Sequence, residues 1–394
     1  MHKVGGVGVV NRWELTFGLV FCLCGVAGAQ TLPEDELQVN FSGYFDSFDV
    51  AVVYPSIALT KKVSQSTSLT GRYLVDMVSA ASIKDAGGEN SSSLYQRVVD
   101  VVTSASGREE RPQFDDVRQE AGFGITQMIA GQMLSINGIY GRENDYSSAT
   151  LAGSYTQWLA KKNTSVQVGF VRSWDEVFPV TKDWRRKKDV IGYSANLSQV
   201  LSPNIVVQML GSYTTESGYM ADAYQQISIG GDTYDAVHPD RRIRKAAAGR
   251  IKFRLTSQSS MQLGYRYYWD DWKMKSHTGS INYKRYLSSQ IILGLGLRSY
   301  FQNRAFFFQP SYDQVEEFMT ADIKLDSGFT NELQFDLTIH GGGRGSWLTF
   351  FKDDRLQYHF NVSLFQRHSS TPYWFNNSKD MISTDFNFGI RIRL

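Results

Sequence analysis

The stretch Glu332-Leu-Gln-Phe-Asp-Leu-Thr-Ile-His340 decides the fold. Leu333, Phe335, Leu337 and Ile339 occupy every second position, with Glu332, Gln334, Asp336, Thr338 and His340 between them. Side chains of a strand point alternately to its two faces, so this segment has one apolar and one polar face. The same alternation recurs on both sides of it. Leu356, Tyr358, Phe360, Val362 and Leu364 alternate with Gln357, His359, Asn361 and Ser363. Further upstream, Ile291–Arg298, Ile191–Ser198 and Thr70–Met77 repeat the pattern. A single such strand suits any soluble sandwich; many in series with no helical stretch between them suit a membrane barrel. A β-helix is disfavoured because no short repeat unit appears.

The chain of 394 residues holds 42% hydrophobic and 20% charged residues. After the N-terminus no run reaches the roughly 20 apolar residues a membrane helix needs. With 24 Phe, 21 Tyr and 8 Trp, the composition suits many strands and an aromatic-rich surface.

Residues 1–29 read as a secretory signal: Lys3 and Arg12 form the basic part, Leu15 to Val26 the apolar part, and Ala27-Gly28-Ala29 the cleavage site. Residues 30–394 are then one domain. Both cysteines, Cys22 and Cys24, lie in the signal, which leaves no thiolate metal site and no cysteine nucleophile after cleavage. The formal net charge is +2, or about +1 without the signal, and gives no pull toward nucleic acid.

Connection lengths set the topology. Short links fall at Lys62–Ser66, Ile129–Gly131, Ala160–Asn163, Ser202–Pro203, Gln258–Ser259, Leu287–Ser289, Asp326–Thr330 and Asp353–Asp354. Longer ones fall at Ala80–Val117, Asp175–Lys187, Ser217–Arg242, Asn303–Glu317 and His368–Asp380. Their alternation matches short periplasmic turns and longer outer loops. To start from the periplasm, a strand near Leu37–Phe45 must precede the one at Asp49–Lys61. The expectation is an all-β, antiparallel, up-and-down transmembrane barrel of 16–18 strands. Eighteen is favoured, and sixteen holds if Ser346–Lys352 is no strand. At the C-terminus Phe386, Phe388, Ile390, Ile392 and Leu394 alternate with polar residues, an amphipathic strand suited to the barrel assembly machinery. Trp158, Trp174, Tyr267, Tyr268, Trp269, Trp272, Tyr300 and Phe301 sit near strand ends, as in an interfacial girdle.

A barrel of this size is too wide for side chains to fill. The residues expected to line its lumen are Arg72, Asp76, Arg250, Lys252, Arg254, Arg266, Lys284, Arg298, Glu332, Asp336 and His359. Arg250, Lys252 and Arg254, with Arg241, Arg242 and Arg244 above them, form a basic row that favours anionic solutes. A second basic cluster, Lys182, Arg185, Arg186, Lys187 and Lys188, suits either lipopolysaccharide phosphates or plain loop solvation. The long connection Ala80–Val117 carries an apolar run, Val98–Val102, suited to folding into the lumen as a constriction. Gly341-Gly342-Gly343-Arg344-Gly345 lacks the helix and the Lys-Ser/Thr of a phosphate loop. No zinc-protease, serine-hydrolase or EF-hand motif appears, so no catalytic, cofactor or metal residues are expected.

Several runs resemble the bacterial family catalogued as domain of unknown function 3570. They are Tyr73-Leu-Val-Asp-Met-Val-Ser-Ala-Ala-Ser-Ile83, Asp100-Val-Val-Thr-Ser-Ala-Ser106 and Glu109-Glu-Arg111. Shorter matches are Glu143-Asn-Asp-Tyr146, Trp174-Asp175, Gly218-Tyr219, Tyr265-Arg-Tyr-Tyr268 with Trp272, His277-Thr278, and Tyr300-Phe-Gln302 before Phe306. The resemblance implies an outer-membrane barrel and carries no catalytic residues with it. Three functions follow as expectations: a porin-like channel for small solutes, a structural barrel housing a periplasmic or surface partner, and a lipid-acting enzyme. The first is favoured. An N-terminal hatch or plug is not expected, since about seven residues separate Ala29 from the first strand. The expected surroundings are outer-membrane lipid and lipopolysaccharide.

Overall fold

The computed structural model describes residues 32–47, 50–80, 116–342, 352–371 and 380–394. The signal read at 1–29, most of the connection Ala80–Val117 and all but the last residue of Ser346–Lys352 lie outside the described residues.

Sixteen antiparallel strands close into one barrel. In chain order they begin with β1 (Glu36–Asp46), β2 (Val50–Lys62), β3 (Thr67–Ala80), β4 (Asp116–Ile129), β5 (Gln132–Arg142) and β6 (Tyr146–Leu159). Next come β7 (Thr164–Val177), β8 (Arg186–Ser202) and β9 (Ile205–Gly218). A small hairpin, β10 (Gln226–Ile229) and β11 (Asp232–Asp235), stands apart from the barrel. The wall resumes with β12 (Arg241–Thr256), β13 (Ser259–Asp270), β14 (Lys275–Tyr286), β15 (Ile291–Gln302), β16 (Gly328–His340), β17 (Leu356–Ser369) and β18 (Asp380–Arg393). Each strand pairs with its sequence neighbour, β9 pairs with β12 across the hairpin, and β18 pairs with β1 to close the wall. Closure leaves no edge strand with unpaired backbone groups. The strand expected near Leu37–Phe45 is β1.

Local chemistry sets the turns. Ala130 and Gly131, at φ 49° and 78°, join β4 to β5 in a two-residue turn whose twist matches the strands. Pro55 lacks an N–H, and the β2–β3 ladder has no pairing at Tyr54 and Pro55.

The expected eighteen strands are sixteen. Asp326–Thr330 is not a turn between two strands. Residues 303–327 form one loop, broken only by a 3-10 turn at Ile323–Leu325, and Gly328 then enters β16 beside β15. The strand implied between the links Asn303–Glu317 and Asp326–Thr330, at Phe318–Leu325, has no ladder to join, because β15 is already flanked by β14 and β16. Met319 and Thr320 are buried instead in loop packing.

The registers fix the two faces. Leu295, Phe335 and Val362 share the outer face, while Gly294, Asp336, Asn361 and Asn387 share the inner one. The outer face is apolar: Phe123, Leu151, Phe170, Met209, Leu297 and Leu333 all project from it exposed.

Candidate functional site: the lumen and its cap

All eleven residues expected in the lumen share the inner face of their strands. They divide by level. Arg72 donates to Glu120 across β3 and β4 at 2.6 Å, and Asp76 lies opposite Arg118. Arg298 donates to Glu332 at 3.0 Å. Asp336 accepts from Asn361 at 2.9 Å, with His359 at 3.9 Å. Arg266 stacks over the Tyr268 ring at 5.5 Å. Arg250, Lys252, Arg254 and Lys284 are exposed, and none has an ion-pair partner among the described residues.

Nearer the long loops the same face carries a buried ionic belt. Glu120 is held by Arg72 and by Arg118 (3.2 Å), and Arg118 also donates to Glu143 at 3.3 Å. Glu216 lies between Lys188 (3.7 Å) and Arg244 (3.2 Å). Arg242 donates twice to Asp270, at 2.9 and 2.6 Å, and lies 4.2 Å from the Trp272 ring centre. Arg118, Glu120, Lys188, Glu216 and Arg242 are 3–8% exposed. Buried charges persist only when paired and hydrogen-bonded, and here each one is. Among the described residues the inner face is therefore packed at the long-loop end and exposed at the level of Arg250–Arg254 and Lys284. Arg118, Glu120, Lys188, Glu216 and Asp270 are additions to the expected set. Their position parity gives them away, but Lys188 and Glu216 sit within a residue of boundaries drawn for loops.

Two loops fold inward over the belt. Trp272, Met274, Ala305, Phe307, Phe308 and Leu325 form one apolar core; Ile227, Ile229, Ala236, Tyr312 and Met319 form a second. An isolated bridge between Val237 and Met319 joins residues 219–240 to residues 303–327. Asp326, fully buried, fastens the second loop to the end of β17: it accepts from Ser369 Oγ at 2.8 Å and from the Thr371 N–H at 2.9 Å. His238 sits between the cores, packed on Trp272 and Phe307. Its Nδ1 lies 3.1 Å from the Met220 carbonyl and its Nε2 lies 2.8 Å from the Thr320 hydroxyl. A carbonyl only accepts, so Nδ1 carries the proton and the Thr320 hydroxyl donates to Nε2. Burial pushes His238 down to about 4, and burial also pushes Asp222, in the same loop, up to about 6. A cavity of 270 Å³ beside His238 is lined by Arg186, Tyr219, Met220 and Asp240.

The aromatic girdle is narrower than expected. Trp174, Tyr267, Trp269 and Phe301 project outward, and Tyr267 stacks on Trp269 at 5.3 Å. Trp158, Tyr268 and Tyr300 lie on the inner face instead. Trp272 is buried in the cap, held by its N–H on the Arg241 carbonyl. The second basic cluster is largely absorbed by neighbours. Lys182 pairs with Asp235, Arg185 with Glu176, and Lys188 with Glu216. Arg186 stacks on Trp184 and Tyr219. In the first basic row Arg242 and Arg244 belong to the ionic belt, while Arg241 falls on the outer face.

The family described as "Protein of unknown function (DUF3570)" matches residues 27–187 and 180–348. The chain belongs to this family. The short runs quoted for the DUF3570 likeness converge on the belt and cap: Glu143, Asp175, Gly218, Tyr268, Trp272 and Gln302 all lie there. No curated protein matches the chain. Among solved structures it is similar to the siderophore receptor PirA from Pseudomonas aeruginosa, at 7% identity and a TM-score of 0.45 over 91% of this chain and 81% of that one. PirA from Acinetobacter baumannii matches at 9% and 0.45, covering 90% of this chain and 57% of the receptor. A bacterial polysaccharide outer membrane secretin matches at 9% and 0.48, covering 93% and 100%.

Proposed function

We propose that the chain is an outer-membrane, porin-like channel for small solutes whose outer mouth is covered by a folded cap. The observation that carries this reading is the split of the lumen: charged side chains are solvated at the Arg250–Arg254 level and buried under the cap. A wall of sixteen strands encloses an aqueous space unless something fills it, and here the filling by described residues is confined to one end. The apolar outer face suits lipid, and the short-turn end is the periplasmic one by the usual asymmetry of such barrels. The test is insertion of the purified protein into planar lipid bilayers. Discrete conductance steps are the expected result.

A second reading keeps the barrel but makes it a shell for a periplasmic or surface partner. The packed cap favours it, because a buried ionic belt under two apolar cores is a costly way to build an open mouth. Stable insertion without conductance would select this reading over the first.

A further inference from the structure

The pairing of lumenal cations is uneven. Arg72, Arg118, Lys188, Arg242, Arg244 and Arg298 each face a carboxylate within 4 Å. Arg250, Lys252, Arg254 and Lys284 do not among the described residues, and all four are exposed. The registers bring these four together. Arg254 on β12 and Lys284 on β14 both stand opposite Ser260 of β13, two ladders apart, or about 10 Å. Arg250, Lys252 and Arg254 follow one another on one face at about 7 Å intervals. Facing positions carry no charge: Gln208 and Val206 on β9, Gly264 and Gln262 on β13, Asn282 on β14. Next to Lys284, Gly294 of β15 removes a side chain, and the carboxylate beyond it, Asp336, lies two ladders away and forms no ion pair with Lys284.

We propose that Arg250, Lys252, Arg254 and Lys284 form a track for small oxyanions, such as phosphate, in the half of the lumen that the described residues leave open. The proposal rests on the channel reading and names its solute class. Four cations with no ion-pair partner among the described residues, set between low-dielectric walls, concentrate anions, by 10–10³-fold for such focusing in general. Their spacing gives several adjacent contacts of moderate strength, which an ion needs in order both to enter and to leave. Exposed side chains on a solvated face are replaceable without unfolding the wall.

The test uses the full chain in planar bilayers under a KCl gradient. Wild type is expected to pass chloride about tenfold over potassium at 0.1 M salt and to approach parity at 1 M, where the Debye length falls to about 3 Å. The quadruple variant R250Q/K252Q/R254Q/K284Q is expected near parity at both, and K245Q, on the outer face, as wild type. Inorganic phosphate should block the wild-type chloride current and spare that of the quadruple variant. Cation selectivity in wild type, or a quadruple variant with unchanged selectivity, overturns the proposal. If the protein inserts and passes no current, the channel reading falls, and phosphate titration in detergent decides the track alone. Saturable binding lost in the quadruple variant supports it, and no binding in wild type overturns it.

Discussion

Asp326→Ala should loosen the cap while leaving the barrel closed. The Asp326 carboxylate has no solvent exposure and accepts from Ser369 Oγ (2.8 Å) and from the Thr371 N–H (2.9 Å). Arg304 approaches to 3.6 Å, but it is 44% exposed and adds little. A hydrogen bond to a charged group is worth about 1.5–3 kcal/mol, so losing two costs the cap about 3–6 kcal/mol. At 1.4 kcal/mol per factor of ten, the opening equilibrium of residues 303–327 rises by roughly 10²–10⁴. Hydrogen exchange read by mass spectrometry should show faster exchange in peptides from 303–327, with β5–β8 unchanged. Asp326→Asn keeps an acceptor and should fall between. If Asp326→Ala exchanges there at the wild-type rate, the cap is not held as described.

Three further outcomes follow. His238 has a folded value near 4 against about 6.5 when free, so the stability it gives is full above pH 6.5 and lost as pH falls toward 4, about 3 kcal/mol in all. Asp222, raised to about 6, works oppositely: its contribution is present below pH 3.8 and lost as pH rises through 6. His238→Gln should therefore make the cap more protease-resistant at pH 5 than at pH 7, and a slope unchanged from wild type would count against the assignment. Gly218 has φ 106°, and a Cβ there would collide with the Lys187 carbonyl oxygen, so Gly218→Ala should cost about 1–3 kcal/mol and lower the urea midpoint of unfolding from vesicles. Leu297→Arg places a charge on the apolar outer face and should cost about 2–4 kcal/mol in the same assay; Asn282→Arg, on the inner face, should cost under about 1 kcal/mol.

The barrel was legible because an apolar outer face and a polar inner face impose a period of two, and Leu333–Ile339 shows it without interruption. The same parity put the eleven residues expected in the lumen on one shared face, and connection lengths alone placed β1. Parity does not supply partners: that Glu120 holds Arg72 and Arg118 depends on register, which the turns set. The belt escaped because alternation fades where a strand leaves the lipid, so Lys188 and Glu216 look like loop residues. Phe318–Leu325 misled in the other direction. It alternates like a strand, yet its buried positions serve the cap, where Tyr312 and Thr320 satisfy each other's polar groups. Trp272 misled in the same way, since an aromatic near a strand end can turn inward as well as outward.

The central claim is a wall with lipid on one face and water on the other. Single cysteines along β12 test it most directly, with Cys22 and Cys24 the only native ones and both in the segment read as signal. A charged, membrane-impermeant maleimide added to protein in vesicles should label Arg250→Cys, Lys252→Cys and Arg254→Cys quickly, and Ile251→Cys and Phe253→Cys hardly at all. Uniform labelling along the strand, or the inverse pattern, would contradict the account.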